Sequence, residues 1–261
     1  MDITNEPRLQ HNNTFPHTIE SDEIQSLIAQ SKARVSESFE KGTGQNTKVE
    51  DPSNIFLSKY IGTSLKLVVL YVDLVGSTLL TRSLPVNRLA TMIQTFTKEM
   101  SIIVSKYGGQ ILKFVGDAVV AYFPLGASYS LTYNTAVHCS HTMILVIQDA
   151  INPVICMHGY DKLQLKIGLD TSEHSVIQYL IDEKPYADIF GYGISMAAKL
   201  SSLASSNEVI ISHNIYMGMH SSLRKKFSEV ELDPRMWKYI DERFQPGVWK
   251  SRPLQLSILG K

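Results

Sequence analysis

Residues 111–123 read ILKFVGDAVVAYF: two apolar runs, 111–115 and 118–123, with only Gly116 and Asp117 between them. Strand-length apolar runs joined by two turn residues predict a tight antiparallel hairpin. Just upstream, residues 88–107 carry Leu89, Met92, Ile93, Phe96, Met100 and Ile103 at helical spacing and stop at Gly108-Gly109. Before that helix, residues 67–72 are continuously apolar, which predicts a central strand buried on both faces. Downstream of the hairpin, 132–149 reads as a second helix, and Leu163, Leu165, Ile167 and Leu169 then alternate as a strand. The order β-α-β-β-α-β is the ferredoxin-like split βαβ unit, an α+β fold with helices on one face of an antiparallel sheet. A helix near 193–203, a strand at 209–212 and a C-terminal strand pair complete a domain spanning 65–261.

Ahead of this domain the sequence predicts three segments. Residues 1–20 lack periodicity and read as a flexible N-terminus. Residues 21–41 form an amphipathic helical extension, with Ser21 as its cap, Asp22 and Glu23 at the positive end of the dipole, and Gly42 as its stop. Its stripe of Ile24, Leu27, Ile28, Val35 and Phe39 needs a covering surface, either on the main domain or in a dimer, and packing is the expected role. Residues 42–64, rich in Gly, Asn, Ser and Thr, read as a linker.

Composition narrows the function. Of 261 residues, 44% are hydrophobic, which supports a substantial core, and 25 basic residues balance 25 acidic ones. A chain without net charge gains little from nonspecific attraction to phosphate backbones or anionic lipid, so neither nucleic acid nor a membrane surface is expected as its partner. Two cysteines, Cys139 and Cys156, make neither a disulfide framework nor a zinc site. The most apolar run, 65–75, is too short to span a bilayer and contains Lys66 and Asp73. The opening residues are polar and unlike a secretion signal, so a cytoplasmic protein is expected.

Two carboxylates stand out. Asp73 ends a strand that is otherwise apolar, where an unpaired buried charge is costly. Asp117 sits at the hairpin tip, 44 residues later, and the split βαβ topology can bring both to one edge of the sheet. Taken alone, Asp117 is an ordinary turn residue; together, two carboxylates without Cys or His suit a hard cation such as Mg²⁺ or Mn²⁺. The segment Gly76, Ser77 and Thr78 follows where a strand gives way to a helix, and either caps that helix or offers its amides to phosphate.

The stretches YVDLVGST (71–78) and KFVGDAVVAYF (113–123) resemble the two metal-binding motifs of class III nucleotide cyclases, and DIFGYGISMAAKL (188–200) resembles the start of that family's substrate-contacting helix. The resemblance covers about residues 65–260, with three motifs in order. It implies a head-to-tail homodimer with active sites at the interface. It also implies two metal ions, Mg²⁺ or Mn²⁺, held by Asp73, Asp117 and the carbonyl of Leu74, with Gly76, Ser77 and Thr78 on the phosphates. Lys113 and Asp188 fall where adenylate cyclases carry a Lys and an Asp or Thr that read adenine, the first donating to N1 and the second accepting from the exocyclic amine. The implied reaction is conversion of ATP to cyclic AMP and pyrophosphate. Without the resemblance, Lys113 is a solvated strand lysine and Asp188 a loop carboxylate.

Three departures qualify this. Where the family has Asn and, four residues on, Arg, this chain has Ser195 and Lys199; lysine keeps the charge but lacks the planar fork of arginine. Asp170 and Ser172 stand where His and Gly are common. The late lysine that touches outer phosphates has only Lys250, ahead of the final strand, as a candidate. A changed ribose and phosphate grip keeps open a cyclase for another base, uracil, cytosine or guanine, and a catalytically weak module that binds nucleotide.

Overall fold

The computed structural model describes residues 20–42, 51–233, 237 and 247–251. The expected flexible segment 1–19 lies outside them, as do 43–50 of the linker and the end of the domain beyond 251. In chain order the elements are α1 (Ser21–Lys41), α2 (Pro52–Leu57), β1 (Ser64–Leu74), α3 (Ser77–Ser83), α4 (Val86–Lys106), β2 (Gln110–Val115), β3 (Ala118–Pro124) and α5 (Tyr129–Val146). After these come α6 (Asn152–Met157), β4 (Leu165–Ile181), β5 (Lys184–Phe190), α7 (Tyr192–Leu203), β6 (Glu208–Ser212), α8 (His213–Gly218), α9 (Ser221–Arg224), β7 (Phe227–Glu229) and β8 (Val248–Ser251).

One twisted sheet of order β2-β3-β1-β4-β6-β8-β7 organises the domain, with β5 hydrogen-bonded to β4 off this path. The expected split βαβ unit is its first half, and β1 is central, antiparallel to β3 on one side and β4 on the other. The residues of β1 alternate between two cores. Val68, Leu70 and Val72 face Phe96, Met100 and Ile103 of α4 and Met143 and Ile144 of α5. Leu67 and Val69 face a second cluster that includes Leu57 of α2 and Ala197 of α7. The continuous apolar run of β1 is thus the mark of a strand covered twice: α4 and α5 lie on one face, as the unit requires, and the later α7 covers the other. Contact between α7 and the sheet is backbone to backbone at Gly168, where a Cβ would come within 2.1 Å of the Ala197 carbonyl oxygen.

Several elements differ from expectation. The strand at 163–169 extends to Ile181 and folds back as β5, which the sequence reading missed. Its turn, Asp182-Glu183, holds both residues at positive φ, 48° and 63°. A two-residue turn of that hand usually announces itself with Asn-Gly, and here it does not. Helix α5 continues through a π turn at Ile147–Ile151 into α6, making one helical run Tyr129–Met157 of 29 residues. Pro153, lacking an N–H, sits just past the π turn, which absorbs the lost hydrogen bond. That run is long and apolar enough to cross a membrane, yet 78% of its most apolar window is buried in the fold, the pattern of a core helix. Within the expected linker, Asp51 caps α2 by accepting from the Ser53 and Asn54 amides, each at 3.1 Å. The cap of α1 is Glu20 rather than Ser21, its N–H donating to the Glu23 carboxylate at 3.3 Å.

The amphipathic stripe of α1 is covered by its own domain, one of the two surfaces left open by the sequence: Ile24, Leu27, Ile28 and Val35 join the core with α4 and α5. Arg34 reinforces this with two bonds to Glu99 of α4, Nε to Oε1 at 2.9 Å and Nη2 to Oε2 at 2.7 Å. Glu99 is only 1% exposed, so its charge depends on that one partner. A second buried carboxylate, Asp170 of β4, is 4% exposed. Burial raises its pKa to about 6 against weak opposition, since Ser212 lies near without completing a well-formed hydrogen bond.

Two expectations follow. Arg34→Met strands Glu99 and should cost about 3–5 kcal/mol in urea unfolding, whereas Arg34→Met with Glu99→Leu should recover most of that loss. The raised pKa of Asp170 means that the folded state binds the extra proton, so stability is lost as pH rises through about 6. Asp170→Asn should therefore raise unfolding stability at pH 8, by at most ~3 kcal/mol, with a gain that shrinks at pH 5.

Candidate active site

The end of β1 and the tip of the β2–β3 hairpin meet because β1 and β3 pair antiparallel, with Val72 opposite Val119. Asp73 follows Val72, and Asp117 precedes β3. The two carboxylates sense one another: the pKa of Asp73 is raised, first by burial and then by the negative charge of Asp117. Oδ2 of Asp117 is buried with no hydrogen-bond partner. Two carboxylates drawn together, one with an orphaned oxygen, form a site whose balance calls for a cation. The donors are all oxygen, which fits Mg²⁺ or Mn²⁺. Among the described residues no cluster of three or more His, Cys, Asp or Glu offers a rival metal site.

Next to this pair, Leu74 donates its backbone N–H to the Asp73 carboxylate, and the chain turns through Gly76 at φ 70°, ψ 20°, a left-handed conformation that suits glycine. Helix α3 then begins at Ser77, just after the end of β1, with no side-chain hydrogen bond capping its first turn.

Two residues of this region were missed in the sequence. Lys166 of β4 stands directly opposite Asp73 in the β1–β4 register, and its charge favours the ionised carboxylate. Tyr71, two residues before Asp73 on the same strand, has its phenol pKa raised by burial and by both carboxylates. Only strand pairing reveals Lys166, since nothing local to it signals a site; the signal for Tyr71 was its period-two spacing from Asp73.

The expected base-reading pair is brought together. Lys113 Nζ and Asp188 Oδ2 lie 2.5 Å apart, joining β2 to β5. A bulge sets up this contact. Ile111 pairs with Ala121 and Lys113 with Val120, so Leu112 is an extra residue in β2. Without it Lys113 would fall opposite Val119 and point into the α4–α5 core. With it, Lys113 shares the face of Val120 and Leu67.

Ser195 and Lys199 lie one turn apart on α7, Ser195 exposed and Lys199 half-buried. Ser172 explains one departure: its Oγ accepts from the Gly193 amide at 3.0 Å, satisfying the first turn of α7. The stretch beyond 251, where a final strand is expected after Lys250, lies outside the described residues. Lys250 itself is in β8, opposite Ile210 of β6. That places it three strand spacings from β1, about 14 Å, so within one chain it does not join the carboxylate pair.

The geometry has counterparts. The sequence profile described as the adenylate and guanylate cyclase catalytic domain matches residues 60–238. A uridylate cyclase of Rhodovulum sp. (strain MB263) is 24% identical over 217 residues, covering 78% of this chain and 88% of that protein. A uridylate cyclase of Burkholderia cepacia is 26% identical over 209 residues, covering 79% and 89%. Among solved structures, the adenylyl cyclase CyaB from P. aeruginosa superposes with a TM-score of 0.62 at 23% identity, over 74% of this chain and 96% of that one. With more than half its length matched by that profile, the chain belongs to the adenylate and guanylate cyclase catalytic domain family.

Proposed function

We propose that the chain converts a nucleoside triphosphate to its 3′,5′-cyclic nucleotide and pyrophosphate, at a site shared between two chains of a head-to-tail homodimer. The observation that carries this reading is the convergence of Asp73 and Asp117, with the orphaned Asp117 Oδ2. Asp73, Asp117 and the Leu74 carbonyl would hold two divalent cations, Mg²⁺ or Mn²⁺. Such ions, when bound, acidify the ribose 3′-OH and neutralise phosphate charge. In the reaction the 3′-oxygen bonds to the α-phosphorus, the bond to the β-phosphate oxygen breaks, and the hydroxyl proton leaves to solvent.

The remaining roles fall to this chain's own groups. The amides of Gly76, Ser77 and Thr78 receive phosphate oxygens. Lys166, beside Asp73, adds positive charge where the triphosphate enters. From the partner, Ser195 orients the ribose, Lys199 balances charge that builds on the phosphate, and Lys250 reaches for the outer phosphates. Support for the dimer comes from the β4–β5 hairpin, which leaves Tyr179, Leu180, Ile181, Tyr186 and Phe190 exposed, an apolar surface of the kind that seeks a partner.

Lys113 donates and Asp188 accepts, a polarity that suits any base edge with an acceptor beside a donor. Uracil, with O4 and N3–H, is the leading reading. The two uridylate cyclases match this chain over nearly their whole length, whereas the adenylyl cyclase likeness is one of fold. Adenine is the second reading, carried by the occurrence of Lys113 and Asp188 together.

Incubating the purified chain with each of UTP, ATP, CTP and GTP, in Mn²⁺ and then Mg²⁺, should yield cyclic UMP as the main product by mass spectrometry. Cyclic AMP as the main product would establish the second reading, and no product from any would leave a nucleotide-binding module. Asp73→Asn should lower turnover by at least about 100-fold while the thermal transition persists, because a single carboxylate cannot hold both cations. Sedimentation should show a dimer, and Leu180→Asp with Phe190→Asp should shift it to monomer with loss of turnover.

A further inference from the structure

The segment read in the sequence as linker contains α2, and α2 touches both strands that carry the base-reading pair. Strand β5 pairs with β4 alone, so its other edge is open to α2. Across that gap β5 must sit at a fixed separation from β2 if Asp188 is to meet Lys113. Their own ion pair is weak as a fastener, since Lys113 is 41% and Asp188 22% exposed.

Helix α2 supplies what the ion pair lacks. Asn54 Oδ1 accepts from the backbone N–H of Ala187, the residue before Asp188, at 2.8 Å. One residue earlier, Ser53 Oγ is 3.0 Å from the Tyr122 hydroxyl of β3, in buried surroundings. Leu57, fully buried, packs in the cluster that contains Val120 of β3 and Ile189 of β5, with Leu112 of β2 and Ala187 against it. The helix is thereby tied to β3, β2 and β5 within six residues. A helix this short has no stability of its own. Its start is set by the Asp51 cap and Pro52, and its position by these three ties.

We propose that Asn54 is a positioning residue for base recognition: by holding the Ala187 amide, it fixes β5 against β2 and so sets the separation at which Lys113 and Asp188 receive a base. The inference rests on the reading of Lys113 and Asp188 as the base-recognising pair. The Asn54 side chain bonds to the Ala187 amide and not to Asp73 or Asp117, so removing it loosens selectivity while leaving the cation site whole. Aspartate at this position keeps an acceptor oxygen and suits the first turn of a helix.

The test compares wild type, Asn54→Ala and Asn54→Asp in the full chain. One readout is amide exchange at Ala187. The other is the ranking of dissociation constants for the four α,β-methylene nucleoside triphosphates, which cannot be cyclised. Loss of one hydrogen bond should speed Ala187 exchange in Asn54→Ala and shrink the ratio between the best and second-best nucleotide about fivefold. Asn54→Asp should restore both, and Mn²⁺ affinity should stay within about twofold throughout, a change too small for a lost ligand. Unchanged Ala187 protection, an unchanged ranking in Asn54→Ala, or equal binding of all four bases by wild type overturns the inference. Binding and exchange read it directly, so a wild type that binds selectively but makes no cyclic product would count against the cyclase reading alone.

Discussion

Everything at this site depends on one strand being covered on both faces. Because β1 lies between β3 and β4 and beneath helices on either side, its interior positions are apolar, and the first residue where a charge can emerge is at its mouth. Asp73 occupies that place. The antiparallel neighbour β3 begins immediately after the hairpin turn, so Asp117 arrives at the same mouth, and the other neighbour brings Lys166. A site of this kind is made by strand order more than by local sequence.

That distinction decides what could be read from residues alone. The hairpin at 111–123, the helix that precedes it and the two carboxylates were legible, because each rests on a short-range pattern: alternation, helical spacing, or a charge ending an apolar run. Lys166 was not, since its neighbour in space lies 93 positions away. The strand β5 was hidden by its turn, where Asp182 and Glu183 adopt a conformation usually left to Asn and Gly. The bulge at Leu112 was equally silent. An extra residue in a strand changes which face a side chain occupies without altering composition, and this one decides whether Lys113 meets Asp188 at all. Helix α2 escaped notice for another reason: six residues carry too little periodicity to stand out from a polar stretch.

The two ends of the chain's recognition surface are fixed by different means. At the carboxylate end, Asp73 is placed by the sheet ladder and Asp117 by the tight turn that joins β2 to β3. Where Lys113 meets Asp188, position comes from an ion pair, one side-chain hydrogen bond and a buried leucine. The first arrangement is rigid and hard to vary. The second has few parts, each replaceable, so it can vary while the first stays in place.

The close approach at Gly168 has a consequence for how such proteins diverge. Helix α7 rests on β4 through main-chain atoms, with no side chain between them at that point. Its height above the sheet is therefore independent of the residues on its outer surface. Ser195 belongs to that outer surface, and exchanging it leaves this main-chain contact undisturbed. A lineage can then sample new side chains there one substitution at a time, without passing through misfolded intermediates, provided that position 168 never acquires a Cβ.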